Sequence, residues 1–290
     1  MKVVIVGGMA AGPKTAARLR RLVPDAEITI IEQGEYISFG ACGMPLYVGN
    51  MVSQLDELSA TSYGVERDPD FFSSRKDIQV LTGTQAVAID REGKRVDLVS
   101  LATQQQFSLD YDYLVLATGA QAVIPPIEGL GLSGVFTMHR PQDAQALKTY
   151  LQDRQAKHVT IIGAGLIGME MADALSGRRL KVTVCESAGQ VLPKLLDPDM
   201  ARLIAHHMQQ RKVDLQLECQ VTSLDGDEQG WVRGVSTSKG YIATDAVVIA
   251  AGARPRTDLA RAAGLEIGAT GAIKVDACLR TSDPDIFAAG

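Results

Sequence analysis

One thiol in this chain has neighbours that could make it reactive. Cys42 stands in Ser38-Phe-Gly-Ala-Cys-Gly-Met-Pro-Leu-Tyr47, followed at once by a glycine and soon afterwards by Pro45. Proline is favoured in the first turn of a helix. The spacing therefore predicts Cys42 at a helix start, where backbone N–H groups aimed at the sulfur stabilise a thiolate. The same context also suits a small buried filler, the commonest use of cysteine. Cys185, in a valine-rich strand, is read with Cys219 and Cys278 as structural. The four cysteines are widely spaced and form no Cys-x-x-Cys pair, so neither a zinc site nor a disulfide framework is expected.

Two glycine-rich turns supply a second kind of chemistry. The apolar run Lys2–Val6 enters Gly7-Gly-Met-Ala-Ala-Gly12, then a helix from Thr15 to about Leu22. The next strand, Ile28–Ile31, ends at Glu32. Farther on, Val159–Ile162 enters Gly163-Ala-Gly-Leu-Ile-Gly168, a helix to about Ser176 and a strand from Lys181 that ends at Glu186. In such a turn glycine lets the backbone approach a pyrophosphate, which rests on the free N–H groups and positive end of the following helix. The acidic residue closing the next strand accepts hydrogen bonds from ribose hydroxyls. Two copies, each in strand–turn–helix–strand order, argue against ordinary βαβ connections. In the first copy Met9 replaces the middle glycine, so approach passes Gly8, Ala10 and Ala11. The second keeps Gly163, Gly165 and Gly168, with Leu166 and Ile167 opening its helix.

The elements that must position these groups are also repeated. Tyr111–Ala120 and Thr244–Ala253 each read as a buried strand, a small-residue turn and then a proline-bearing stretch. Ala117, Thr118, Gly119 and Gly252 in those turns join the candidate cofactor contacts. The pattern predicts an α/β protein with two Rossmann-like dinucleotide-binding domains, the second inserted into the first. Residues 1–120 and 251–290 would form one domain and 121–250 the other, with Asp285–Gly290 strand-like.

A length of 290 residues suits two domains at ~100–200 residues each. The net charge of −5 argues against a nucleic-acid or polybasic membrane partner. No apolar run approaches the ~20 residues of a membrane span. Lys2–Ala11, interrupted by Gly7 and Gly8, is a poor signal peptide, so a cytoplasmic location is expected.

Across essentially all 290 residues these motifs resemble the FAD-dependent pyridine nucleotide–disulfide oxidoreductases, whose first unit binds FAD and whose second binds NAD(P)H. Gly252-Ala-Arg-Pro-Arg-Thr-Asp-Leu-Ala260 and Thr281–Gly290 are similar to the family's late FAD-domain motif. In relatives an Asp and then a dimerisation domain follow that last glycine. The resemblance thus implies either a truncated form of a longer protein or a shortened natural member, with a homodimer for the full-length form. Ser38–Tyr47 resembles the single-cysteine motif of coenzyme A disulfide reductases, persulfide/polysulfide reductases and related NADH oxidases. Tyr47 stands where two-cysteine members carry their second cysteine, and Arg67–Phe72 and Arg75–Ile78 extend the likeness. Ala41 departs from it, since many coenzyme A disulfide reductases have Asn there.

The resemblance implies electrons passing from NAD(P)H through FAD to a mixed disulfide at Cys42, whose freed thiolate attacks the next small disulfide or persulfide. It favours those acceptors over peroxide, because peroxide- and oxygen-reducing relatives usually carry His in the first glycine turn and this chain has none there. An NADH oxidase or peroxidase, and an inert dinucleotide-binding fragment, are the alternatives. Arg18, Arg21, Ser38 and Lys76 fall where relatives contact coenzyme A, whose phosphates Arg can hold bidentately. Arg18, Arg20 and Arg21 equally suit the solvated face of a helix. Glu186 predicts NADH, by repelling a 2′-phosphate, unless Arg178 or Arg179 turns in to accept NADPH.

Overall fold

A computed structural model describes residues 1–290. Its helices are α1 (Ala11–Leu22), α2 (Met44–Val48), α3 (Pro69–Lys76), α4 (Pro141–Asp153), α5 (Leu166–Ser176), α6 (Pro198–Gln210) and α7 (Asp258–Ala262). Each glycine motif lies at the heart of a five-stranded, wholly parallel sheet. In the first, the spatial order is Ile286–Ala288, Tyr113–Leu116, Lys2–Val6, Glu27–Ile31, Gln79–Leu81. In the second it is Val213–Gln216, Lys181–Cys185, His158–Ile162, Ala246–Ile249, Val135–Thr137.

Continuous β-branched runs form these strands because both faces of a parallel sheet are covered. Successive side chains alternate between faces. In the first sheet Val4, Val6, Ile31, Leu114 and Leu116 pack into one core cluster, while Val3, Ile5, Ile28, Ile30 and Val115 pack into another.

The duplication reaches further than the sequence patterns indicate. Counting from the strand that enters the glycine turn, each sheet carries a three-stranded antiparallel meander between its third and fourth strands. These are Thr84–Asp90, Arg95–Ser100 and Gln106–Asp110 in one case, and Val221–Gly226, Val232–Thr237 and Gly240–Ala243 in the other. The fifth strand breaks the symmetry. The first sheet takes it from the end of the chain, the second from a segment preceding its glycine motif.

The chain divides into one unit of residues 1–40, 56–121 and 254–290 and another of 41–55 and 122–253. The second unit is thus inserted into the first near the two strand–turn repeats. Segment 41–55, which the sequence reading assigns with residues 1–120, packs instead in the second unit. Four of the five residues of α2 are buried there: Met44, Pro45, Tyr47 and Val48.

Gly7 and Gly163 make the sharp turns at φ 116° and 104°. Gly12 and Gly168 permit each helix to pack on its turn, for a Cβ on either would lie 1.9 or 2.0 Å from the carbonyl of Gly7 or Gly163. Gly168→Ala should therefore destabilise the second unit by about 1–3 kcal/mol, as overpacking does. Urea denaturation checks this; an unchanged midpoint would contradict the tight-packing account.

Candidate active site

Both glycine turns end at helices whose first N–H groups lack a side-chain partner. Neither α1 nor α5 has a side-chain cap or an acidic residue in its first turn. By contrast Asp68 caps α3, its Oδ1 accepting from the Phe71 N–H at 2.7 Å. A helix N-terminus with no side-chain cap and no acidic residue in its own first turn is suited to an anion. Gly165 adds a second sign, since a Cβ there would meet nothing within 4 Å. No protein atom demands glycine at that position, whereas a phosphate approaching the backbone would.

The two acidic residues are held in matching grips. Glu32 Oε2 accepts from Gly8 N–H and Oε1 from Gly34 N–H, both at 2.7 Å. Glu186 Oε2 accepts from Ala164 N–H at 2.7 Å, and Oε1 from Ala188 N–H at 2.8 Å and Ser187 Oγ at 3.2 Å. Each carboxylate therefore ties its glycine turn to the loop after the next strand. Carboxylate oxygens have about four acceptor sites between them, so capacity remains for a ribose diol. The bracing role carries no signal in the motif itself.

Geometry sets the two neighbouring arginines apart from Glu186. Arg178 and Arg179 precede the strand Lys181–Cys185, whereas Glu186 follows it. Five residues of strand separate them by roughly 16 Å. Arg178 is moreover engaged, its Nη1 donating to the Val48 carbonyl at 3.0 Å, and burial lowers its pKa. Arg178 is thus committed to the Val48 carbonyl, a strand's length from Glu186.

The small-residue turns lie against the glycine motifs. A Cβ on Gly7 would meet the Ala117 carbonyl at 2.0 Å, and one on Gly163 the Ala250 carbonyl at 2.5 Å. Thr118 Oγ1 donates to the Arg256 carbonyl at 2.8 Å, and Gly119 accepts from Arg256 N–H at 2.9 Å. Gly252 accepts from Val123 N–H at 2.9 Å. Ala289 N–H donates to the Leu116 carbonyl at 3.1 Å, and a Cβ on Gly290 would stand 3.5 Å from the Ala11 side chain. The last residues thus reach the start of α1.

Cys42 is exposed, in a 3-10 turn (Ala41–Gly43) immediately before α2, whose first turn contains Pro45. The helix-start placement agrees with the sequence reading, and the buried-filler alternative does not hold. Cys185 and Cys219 are buried and Cys278 is exposed. Burial and the neighbouring Cys219 push the Cys185 thiol up to about 12, so it stays protonated at neutral pH.

Tyr47, Gln145 and Lys148 were not candidates in the sequence, yet they dock α2. Tyr47 Oη donates to Gln145 Oε1 at 2.5 Å, and Lys148 Nζ lies 3.7 Å from the Tyr47 ring centroid.

The four candidate substrate contacts lie apart within the first unit. Arg18 and Arg21 are exposed on α1. Arg20 is different: it bonds the Pro24 and Asp77 carbonyls and pairs with the Asp77 carboxylate at 3.3 Å. That tie brings the end of α1 beside the end of α3, where Lys76 Nζ lies 5.5 Å from the Phe71 ring centroid. Ser38, at φ 53°, donates its N–H to the Gly8 carbonyl at 2.8 Å. It sits near the opposite end of α1, roughly 15 Å from Arg21 by helix rise.

The whole chain, residues 1–290, matches the family described as pyridine nucleotide-disulphide oxidoreductase. The chain belongs to that family. It is 35% identical over 290 residues to an NADH oxidase of Methanocaldococcus jannaschii, covering 100% of this chain and 62% of the relative. It is 33% identical over 289 residues to the NAD(P)H coenzyme A polysulfide/persulfide reductase of Pyrococcus horikoshii, again covering 100% and 62%. The solved NAD-dependent persulfide reductase from A. fulgidus is 42% identical, with a TM-score of 0.96 over 100% of this chain and 53% of that one. This family member therefore spans about 62% of the length of the curated relatives it matches. No helix is long and apolar enough to cross a membrane.

Gly165→Ala should leave the urea midpoint within about 0.5 kcal/mol, as for a substitution without a steric partner, while weakening NADH binding in a fluorescence titration. Unaltered binding would contradict the open-cradle reading. Iodoacetamide applied to the folded protein near neutral pH should label Cys42 and Cys278 and spare Cys185 and Cys219, with peptide mass spectrometry as the readout.

Proposed function

We propose that this chain is the two-nucleotide portion of a flavin- and NADH-dependent reductase of small disulfides or persulfides. FAD would be held by the first unit, through Gly7, Gly8, Ala10, Ala11, Gly12, Glu32 and the Ala117–Gly119 turn. NADH would be held by the second, through Gly163, Gly165–Gly168, Glu186 and Gly252. The observation that carries the reading is the doubled cradle: two glycine turns, each braced by a strand-end carboxylate and followed by an uncapped helix. Open space at Gly165 fits a pyrophosphate.

When bound, FAD supplies two-electron transfer from the nicotinamide to a disulfide. The chain's own residues position and discriminate. Glu186, fixed by backbone donors, accepts from a free 2′-hydroxyl and repels a 2′-phosphate. Exposed Cys42 is open to a small disulfide: its thiolate attacks one sulfur, a Cys42–sulfur bond forms, and the other sulfur departs as a thiolate. Two electrons then cleave the mixed disulfide, releasing the second thiol and restoring Cys42. Arg18, Arg21, Lys76 and Ser38 offer charge and a hydroxyl along a path suited to the 3′-phospho-ADP part of coenzyme A. The full-length protein is proposed to act as a cytoplasmic homodimer.

The name of the M. jannaschii relative, NADH oxidase, supports a second reading, an NADH oxidase or peroxidase using the same cysteine. Anaerobic reduction with NADH, followed by coenzyme A disulfide, polysulfide, oxygen or hydrogen peroxide in separate assays, distinguishes the two. The disulfide or polysulfide should react fastest. Cys42→Ser should slow that step by a factor on the order of 1000, the scale of losing a covalent nucleophile. Equal turnover by parent and variant would overturn the thiol mechanism. Charge repulsion at Glu186 should favour NADH over NADPH by on the order of a hundredfold in kcat/KM.

A further inference from the structure

The helix carrying Cys42 at its start is gripped from two sides within the second unit. On one side α4 presents Gln145, accepting from Tyr47 Oη at 2.5 Å, and Lys148, whose ammonium lies 3.7 Å from the centre of the Tyr47 ring. Both Tyr47 and Lys148 are buried, at 5% and 9% exposure. On the other side Arg178, just past α5, donates to the Val48 carbonyl at 3.0 Å. Gly49 approaches that helix so closely that a Cβ would lie 3.1 Å from the Ala174 methyl. α5 is the helix whose first turn forms the second cradle.

A buried ammonium needs compensating partners, and an aromatic face supplies one strongly when water is excluded. Hydrophobic burial of Tyr47 could have been achieved without any cation. The cation instead gives the contact a direction, because the ammonium is favoured over the ring face and not at its edge. Tyr47 is five residues beyond Cys42, on the same short helical segment.

We propose that Lys148 and Tyr47 are positioning residues that latch the Cys42 helix to the nucleotide-binding unit. The latch serves the thiol step of the function proposed above and rests on that reading. It predicts that loosening α2 impairs disulfide reduction while leaving nucleotide affinity intact, since neither residue belongs to the cradle.

Hydrogen exchange and steady-state kinetics on the purified, flavin-loaded protein test it, with Lys148→Met, Lys148→Arg and Tyr47→Phe. Lys148→Met should speed exchange of the amides of residues 44–49 by about ten-fold, on the scale of a lost desolvated cation–π contact, with the rest of the second unit changing by less than about two-fold. It should lower kcat for the disulfide acceptor by a similar factor without raising the KM for NADH. Lys148→Arg should restore both. Tyr47→Phe keeps the ring and loses one hydrogen bond, so a local rise of about three-fold is expected even if Lys148→Met fails to fold. Unchanged exchange at 44–49, a uniform rise across the unit, or no rescue by Arg would overturn the latch. A local rise accompanied by normal disulfide turnover in Cys42→Ser would instead sink the thiol reading and leave the docking contact standing.

Discussion

Both nucleotide units depend on a carboxylate that bridges a glycine turn to the following strand's exit. The turn must expose backbone N–H groups at a helix start, and unsatisfied donors leave such a loop free to collapse. Glu32 and Glu186 each take one of these donors, on Gly8 and Ala164, and a second from the loop beyond the strand. Hydrogen bonds to a charged acceptor are about twice as strong as neutral ones. One side chain thereby shapes the turn and keeps spare acceptor capacity on its two oxygens. Replacing it would disturb the turn.

The two copies nevertheless carry different residues between their fixed points. The first has Met9 where the second has Gly165, and Gly8 where the second has Ala164. Gly8 is confined by its own carboxylate, for a Cβ there would fall 2.8 Å from Glu32 Cβ. Gly165 faces open space. The requirement at the first position comes from the protein, whereas no protein atom sets one at the second. Similar glycine spacing thus does not reflect the same packing demand at both positions.

The thiol belongs to a third level of organisation. Cys42 is adjacent in sequence to the first unit, yet its helix packs in the second, where four of five α2 residues are buried. Arg178 illustrates the consequence. In sequence it is a cation near the second nucleotide motif, a candidate to turn in and accept NADPH; in the fold it holds the carbonyl of Val48. Arg20, grouped in sequence with Arg18 and Arg21, likewise proves to be a tie between α1 and the end of α3, whereas its two neighbours stay exposed.

The α/β class, the paired parallel sheets and the places of both glycine turns were legible in the sequence. Each rests on local rules: β-branched runs make buried strands, glycine permits the turn, and an acidic residue closes the second strand. The helix-start position of Cys42 followed in the same way from Pro45, whereas its exposure came only from the fold. Only the tertiary structure decided where segment 41–55 packs, that Arg178 holds the Val48 carbonyl, and that Lys148 covers the Tyr47 ring. Those outcomes depend on contacts between residues about a hundred positions apart, whose pairing is set by packing of whole helices and leaves no periodicity in the chain. The meanders escaped the sequence reading for a related reason: their strands are half exposed and lack the continuous apolar runs of the central sheets.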